Sequence, residues 1–268
     1  MSIYTDRAMI SLHNMVCEMY KKNIDLSRII KCSVQLLQSG LTPNSIPNDI
    51  LMECIDMQRD DGGWTAVADT IWNTKFLSYY PDTKNQRVRA LAYLKNNKVE
   101  YGYGRSARDI GRIPVTGLAF YFLPELADLE GLYWLELLWE KEKNSLTYKA
   151  AYTLMSFKKN SYLPSNNELI HQTIEWLIYQ QEKDGGFAPW KSHPVGTDIY
   201  CTAVSCIGLL QYVKEFPNIE SSIIKAYDYM RSTQMKNGIW RYHELEDGGG
   251  WGLVAMTLFE QWRDEREI

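Results

Sequence analysis

Carboxylates recur along the chain at places where an acid would be useful: Asp69, Asp109, Asp198, and Glu246 with Asp247. Each stands at or before an apolar stretch, so two roles are open to it. An Asp at a helix start accepts backbone N–H groups and gains from the macrodipole. The same carboxyl, held in a poorly solvated pocket, keeps its proton and becomes a donor. The segment GRSARDIGR brings Arg105, Arg108 and Arg112 together. Forked guanidinium groups suit a diphosphate or a carboxylate; the plain alternative is a solvated loop whose arginines pair with Asp109. Trp64, Trp72, Phe187, Trp190, Tyr200, Trp240 and Trp251 lie in or beside the same loops. Each alone is more often a packing residue. Collectively they would bury an apolar chain and stabilise cationic intermediates through their ring faces.

These side chains need helices to hold them. Apolar residues at helical spacing predict helices over about 4–20 and 26–39, with Gly40 as a stop. Further helices are expected over about 48–58, from Asp69 as a cap to Tyr80, over 85–98, 115–123, 126–142 and 146–158, from Glu220 to Gln234, and a last one ending near Trp262. One pattern recurs. Trp176, Leu177, Gln181, Gly185 and Phe187 match Tyr229, Met230, Gln234, Gly238 and Trp240 in spacing, and Gln58, Gly62 and Trp64 repeat the end of it. A Gln able to hydrogen-bond across the turn, a Gly that stops the helix at positive φ, and an aromatic that packs back over it form a local closing device. The step from Gln58 to Lys98 is forty residues and that from Lys98 to Gln181 about twice as long, so a decayed copy is expected between them. About six hairpins result, each an outer helix followed by an inner one, with inner helices starting near Asp69, Pro114, Ser145, Asp198 and Gly249.

The Gln-x-x-x-Gly-x-aromatic closure resembles the QW-type repeat of the terpenoid cyclase and protein prenyltransferase superfamily, of which squalene–hopene cyclases are members. KAYDYMRSTQMKNGIW (Lys225 to Trp240) is similar to the full repeat, and RALAYLKNNKVEYGYG is similar with Lys98 in place of Gln. The resemblance covers roughly Ile50 to Trp262. It implies an all-α, single (α/α)6-type toroid over residues 1–268, with an N-terminal hairpin at 1–40 and repeats over 41–268. It also implies a hydrophobic, isoprenoid substrate in a central aromatic cavity. Asp198-Ile199-Tyr200-Cys201-Thr202-Ala203 is similar to the Asp-x-Asp-Asp-Thr-Ala motif of protonation-initiated cyclases, but Tyr200 stands where that motif has its proton donor. Asp198 is then the favoured acid, with Tyr200, Asp109 and Asp247 as rivals, and the Arg105 loop holds a polar head group. The lipid transferases of the superfamily use an Asp-x-Cys pair and a distant His; no Asp-x-Cys occurs here, and His193 and His243 beside Asp198 and Cys201 supply no convergent zinc set. No metal or other cofactor is expected, apart from Mg²⁺ accompanying a diphosphate substrate. The expected activity is that of a small class II-like terpene cyclase; isoprenoid transfer and non-catalytic isoprenoid binding are its rivals.

Composition narrows the partners. The chain has 268 residues, 45% of them hydrophobic, with nine Trp and eighteen Tyr, which is ample for one core and a lined cavity. A net charge of −4 argues against non-specific nucleic-acid binding. Five cysteines without paired spacing read as reduced thiols of a cytoplasmic protein, and MSIYTDRAMI lacks the pattern of a secretory signal. The apolar segment from Leu118 to Trp139 would allow a transient membrane-surface contact, but its acids and lack of Lys or Arg favour burial.

Overall fold

A computed structural model describes residues 2–266. Residues 1, 267 and 268 of the expected range lie outside the described residues. The chain folds as twelve α-helices among these, with no strand and two isolated β-bridges. Six outer helices are α1 (Ile3–Lys21), α3 (Asn48–Asp56), α5 (Lys84–Asn96), α7 (Leu129–Glu142), α9 (Leu169–Gln180) and α11 (Glu220–Thr233). Six inner helices alternate with them: α2 (Leu26–Gln38), α4 (Val67–Leu77), α6 (Ile113–Phe122), α8 (Thr147–Lys159), α10 (Ile199–Leu210) and α12 (Trp251–Asp264). Each inner helix packs on the next, and α12 packs on α2. The ring is closed, an α/α toroid.

The inner helices are apolar on nearly every side because they are covered on every side. In α10 every residue from Cys201 to Leu209 is buried, and small residues let neighbours approach. A Cβ at Gly208 would meet the Ala151 backbone of α8 at 3.0 Å. The outer helices are amphipathic, with one stripe buried, as Ala8, Leu12 and Val16 show in α1.

The Gln–Gly turns join one outer helix to the next. Gln181 Nε2 donates to Gly185 O and to Ser222 O of α11, both at 2.8 Å. Gln58 does the same to Gly62 O and Gln86 O of α5, both at 2.9 Å, and Gln234 to Gly238 O at 3.0 Å and Tyr4 O of α1 at 2.9 Å. The glycines Gly62, Gly185 and Gly238 have φ of 90°, 86° and 86°. Each presses on a carbonyl one turn further along the neighbouring helix: a Cβ there would come within 2.4, 2.5 and 2.6 Å of Arg89 O, Lys225 O and Arg7 O. At the third hairpin Lys98 replaces the amide with an ion pair, its Nζ lying 2.5 Å from Asp128 Oδ2 at the start of α7.

Two expected boundaries shift. Helix α4 starts at Val67 with Ala66 as its cap position, so Asp69 lies in the first turn rather than at the cap. The last inner helix is preceded by a π-helical turn, Glu246–Gly250, rather than starting at Gly249. The segment from Leu118 to Trp139 is broken at Pro124 and divided between α6 and α7. Leu118, Phe120, Leu132, Leu135 and Trp139 are buried, while Leu129, Tyr133 and Leu137 remain exposed. No helix among the described residues is long and apolar enough to cross a membrane.

Candidate active site

The loops that enter the inner helices all lie at one end of the ring, and the cavity opens there. In three of the six, α4, α6 and α10, a Thr in the first turn fixes the entering loop to its helix. Thr70, Thr116 and Thr202 Oγ1 accept the N–H of Trp64, Tyr103 and Phe187 at 3.0, 2.8 and 2.8 Å. Counting back two residues from each Thr gives Ala68, Pro114 and Tyr200, and all three line the same cavity. Position 200 is thus an inward-facing position by construction of the repeat, and its occupant here is a phenol.

The cavity has two lobes that share Arg105, Pro114, Val115, Tyr200 and Asp247. The wider lobe, of about 620 Å³, is edged by Arg112, Glu142, Tyr148, Lys149, Asp198, Tyr242 and His243. The smaller one, of about 390 Å³, is walled by Lys31, Ile71, Trp72, Leu118, Tyr152 and Trp251. Trp72, Phe122 and Trp251 meet at its floor, with ring centroids 4.9 to 6.2 Å apart. Tyr200 sits among Tyr148, Tyr152 and Tyr242, and its hydroxyl is 3.3 Å from that of Tyr152.

The acids divide by environment. Asp247 lies on the π turn and faces both lobes; burial, with the adjacent Glu246 carboxylate, pushes its carboxyl up to about 6. Asp198 edges only the wider lobe and accepts the Cys201 N–H at 2.7 Å as the cap of α10. Burial raises its carboxyl, opposed by that bond. Asp109 is away from the lining: Arg112 donates to it through Nε and Nη2 at 2.8 and 3.0 Å, and its carboxyl is held down at about 2. It is ionised at neutral pH, which argues against its expected rival role as a donor. Burial pushes the phenols of Tyr200 and Tyr152 upward, making them poorer acids still.

The π turn has visible supports. Gln35 Nε2 of α2 donates to Glu246 O at 2.7 Å, and Arg28 pairs with the buried Glu246 side chain at 3.3 Å. Gln35 lies so close that a Cβ at Gly250 would fall 1.7 Å from its Oε1. A side chain at 250 would have to displace the Gln35 amide, so the Gly-rich run suits the close approach of α2 to the turn that carries Asp247 over the cavity.

The expected site residues separate accordingly. Arg105, Arg112, Asp198, Tyr200, Asp247, Trp72 and Trp251 line the cavity. Arg108 faces another groove, beside Arg59 and Tyr93, because the loop turns between it and Arg105. Trp64, Phe187 and Trp240 are buried in the repeat turns: the indole N–H groups of Trp64 and Trp240 donate to Cys54 O at 2.9 Å and Met230 O at 2.7 Å. Trp190 is 44% exposed and meets His193 edge-on, outside the lining. Missing from the sequence reading were Tyr148 and Tyr152, which line the lobes from successive turns of α8, and Tyr242 and Lys31. The i, i+4 spacing of Tyr148 and Tyr152 just after a helix start was the available signal.

No protein-family model matches the chain. Among curated proteins it is similar to a lanosterol synthase of Pneumocystis carinii, with 23% identity over 242 residues, 80% of this chain and 32% of that protein. It therefore spans about a third of the length of the curated relative it matches. Among solved structures it is similar to the type II terpene cyclase MstE from Scytonema in its apo form, with a TM-score of 0.70 and 13% identity over 98% of this chain and 99% of that one. A possible member of the GH105 family from Klebsiella pneumoniae subsp. pneumoniae matches with a TM-score of 0.54 and 14% identity, over 88% and 82% of the two chains. The ring, its repeats and these likenesses make the chain a terpenoid-cyclase-like α/α toroid.

Proposed function

We propose that residues 1–268 work as one domain, a small class II-type terpene cyclase that protonates a linear isoprenoid with Asp247. The observation that carries the reading is the placement of this carboxyl, raised to about 6 by burial, over an aromatic-floored cavity. Protonation of an alkene needs an acid that still holds its proton near working pH and gives it up into a poorly solvated space. Asp247 meets both needs better than Asp198, whose oxygen is occupied in capping. Trp72, Trp251 and the tyrosines around Tyr200 would stabilise the carbocation by their ring faces. Arg105, shared by both lobes, would hold a polar or charged head group at the mouth.

No resident cofactor is part of this proposal; a diphosphate substrate would bring Mg²⁺ with it. Prenyl transfer has less support, because no group of three or more His, Cys, Asp or Glu converges among the described residues as a metal site. One observation favours a binding-only reading: a phenol occupies the inward position of α10. The test separates the two. Incubation with linear polyprenyl alcohols and diphosphates, followed by mass spectrometry of the products, should show a cyclic isomer from the wild type. Asp247→Asn should lower its formation by at least about a hundredfold while ligand binding survives, and wild-type turnover should rise as the pH falls through about 6. Undiminished product from Asp247→Asn would remove Asp247 as the acid. Binding without product from any substrate would favour the binding-only reading.

A further inference from the structure

The opposite end of the ring carries a second pocket, of about 400 Å³, separated from the central cavity by the aromatic floor. It lies where the inner helices end. Gln38 follows from α2, Lys75 and Ser78 from α4, Tyr121 and Phe122 from α6, and Lys159 from α8, with Arg87 of α5 and Glu125 at the rim. Phe122 is part of both the floor above and the lining below.

We propose that this pocket binds a phosphate-class polyanion, held by Lys75, Lys159 and Arg87. Three cations converge on it and one carboxylate faces it, Glu125, which is already engaged by Arg87 Nη2. Neither Lys75 nor Lys159 has a carboxylate within ion-pair distance among the described residues, whereas the adjacent Lys158 pairs with Glu215 on the outer side. Lysines in the last turn of a helix complement its dipole, and that accounts for single exposed ones. It does not account for a half-buried ammonium crowded by two more cations. Lys75 is in that position: burial, and then the charges of Lys159 and Arg87, push its pKa down. Its Nζ rests 4.9 Å from the ring centre of Tyr79 and 5.9 Å from that of Phe122, contacts that supply no negative charge. Two further polar atoms here, Arg87 Nε and Gln38 Oε1, are buried without a hydrogen-bond partner. A phosphate group would accept from Arg87 Nε and neutralise both lysines, Arg as a directed donor and Lys as point charges. A protonated phosphate oxygen could donate to Gln38.

Free and esterified phosphate share this chemistry, so inorganic diphosphate and a short alkyl diphosphate are the two probes. Calorimetry and thermal shift at matched ionic strength should show wild-type protein binding inorganic diphosphate, with affinity reduced about tenfold or more in Lys75→Met and in Lys159→Met. Lys159 is exposed, so its variant remains folded even if the other does not. Without ligand, Lys75→Met should melt no lower than wild type, since it relieves crowding. Lys158→Met, which removes a neighbouring charge that pairs with Glu215 outside the pocket, should leave the inorganic ion's affinity unchanged. Equal affinity for both probes assigns the pocket to a free anion, and tighter alkyl diphosphate binding that remains sensitive to both lysines assigns it to an esterified one. Absence of binding by either probe, or binding that survives both lysine replacements or is lost equally in Lys158→Met, would overturn the proposal.

Discussion

At the scale of single residues, Asp247 gives a signature that needs no substrate. Its folded-state pKa of about 6 lies above the ordinary 3.8, so the folded protein holds this proton more tightly than the unfolded chain. Stability from this group is complete below about 3.8 and lost as the pH rises through about 6. Asn cannot ionise and escapes that loss. Asp247→Asn should therefore raise stability at pH 7 to 8, by at most about 3 kcal/mol for a shift of roughly two units, and the gain should vanish as the pH falls towards 4. Thermal melts of both proteins across that range check it, and a variant no more stable at pH 8 would show that the carboxyl is solvated. The sequence made Asp247 visible as one of several acids but not as the best placed. Its advantage depends on Gln35, Arg28 and Gly250 from segments more than 200 residues apart in the chain, Gln35 to Glu246 being a separation of 211.

At the scale of elements, the hairpins were almost fully legible, because the Gln–Gly–aromatic device is local and its chemistry is written in fixed offsets. Gln181→Ala should remove two donated hydrogen bonds and leave Ser222 Oγ, which donates to Gln181 Oε1 at 2.8 Å, without that partner. A loss of about 2 kcal/mol is expected, read by denaturant unfolding. Lys98→Met should cost less, about 1 kcal/mol or below, since its ion pair has one partner 56% exposed. Equal costs would mean that the Lys98 copy is held as firmly as those closed by Gln. The aromatics were harder to place from sequence. Trp64 and Trp240 share the Gly-aromatic spacing that led to a pocket wall, yet the same spacing is what swings each indole back onto its own outer helix. Tyr148 and Tyr152 escaped notice although an inner helix was expected near Ser145, because no Gly-aromatic loop precedes α8 to point to its first turns.

At the scale of the molecule, the all-α ring follows from the hairpins, but cavity geometry depends on six helices at once and could not be read from any one of them. The chain's fold is also similar to that of a possible member of the GH105 family, so reaction must be argued from the cavity and not from the ring. Closure has two components. Gln234 clasps α1 as Gln58 clasps α5 and Gln181 clasps α11. Glu260, buried on α12, accepts from Ser2 N, Ser2 Oγ, Thr5 Oγ1 and Tyr227 OH at 2.7, 2.5, 2.6 and 2.9 Å. The join between last and first hairpins thus repeats the joins inside the chain, and the ring has no structural seam. A circular permutant that links the described ends and opens at the short 143–146 connection should keep its helical circular dichroism and melt within roughly 10 °C of the parent, a change of a few kcal/mol; collapse to an unfolded or aggregated state would show that the position of the opening matters. A seamless ring also sets the order of events during synthesis. Within the ring the buried stripe of α1 is made well before its partner α12, so the growing ring carries an unfinished apolar edge until α12 emerges, a period in which chaperone capture competes with closure.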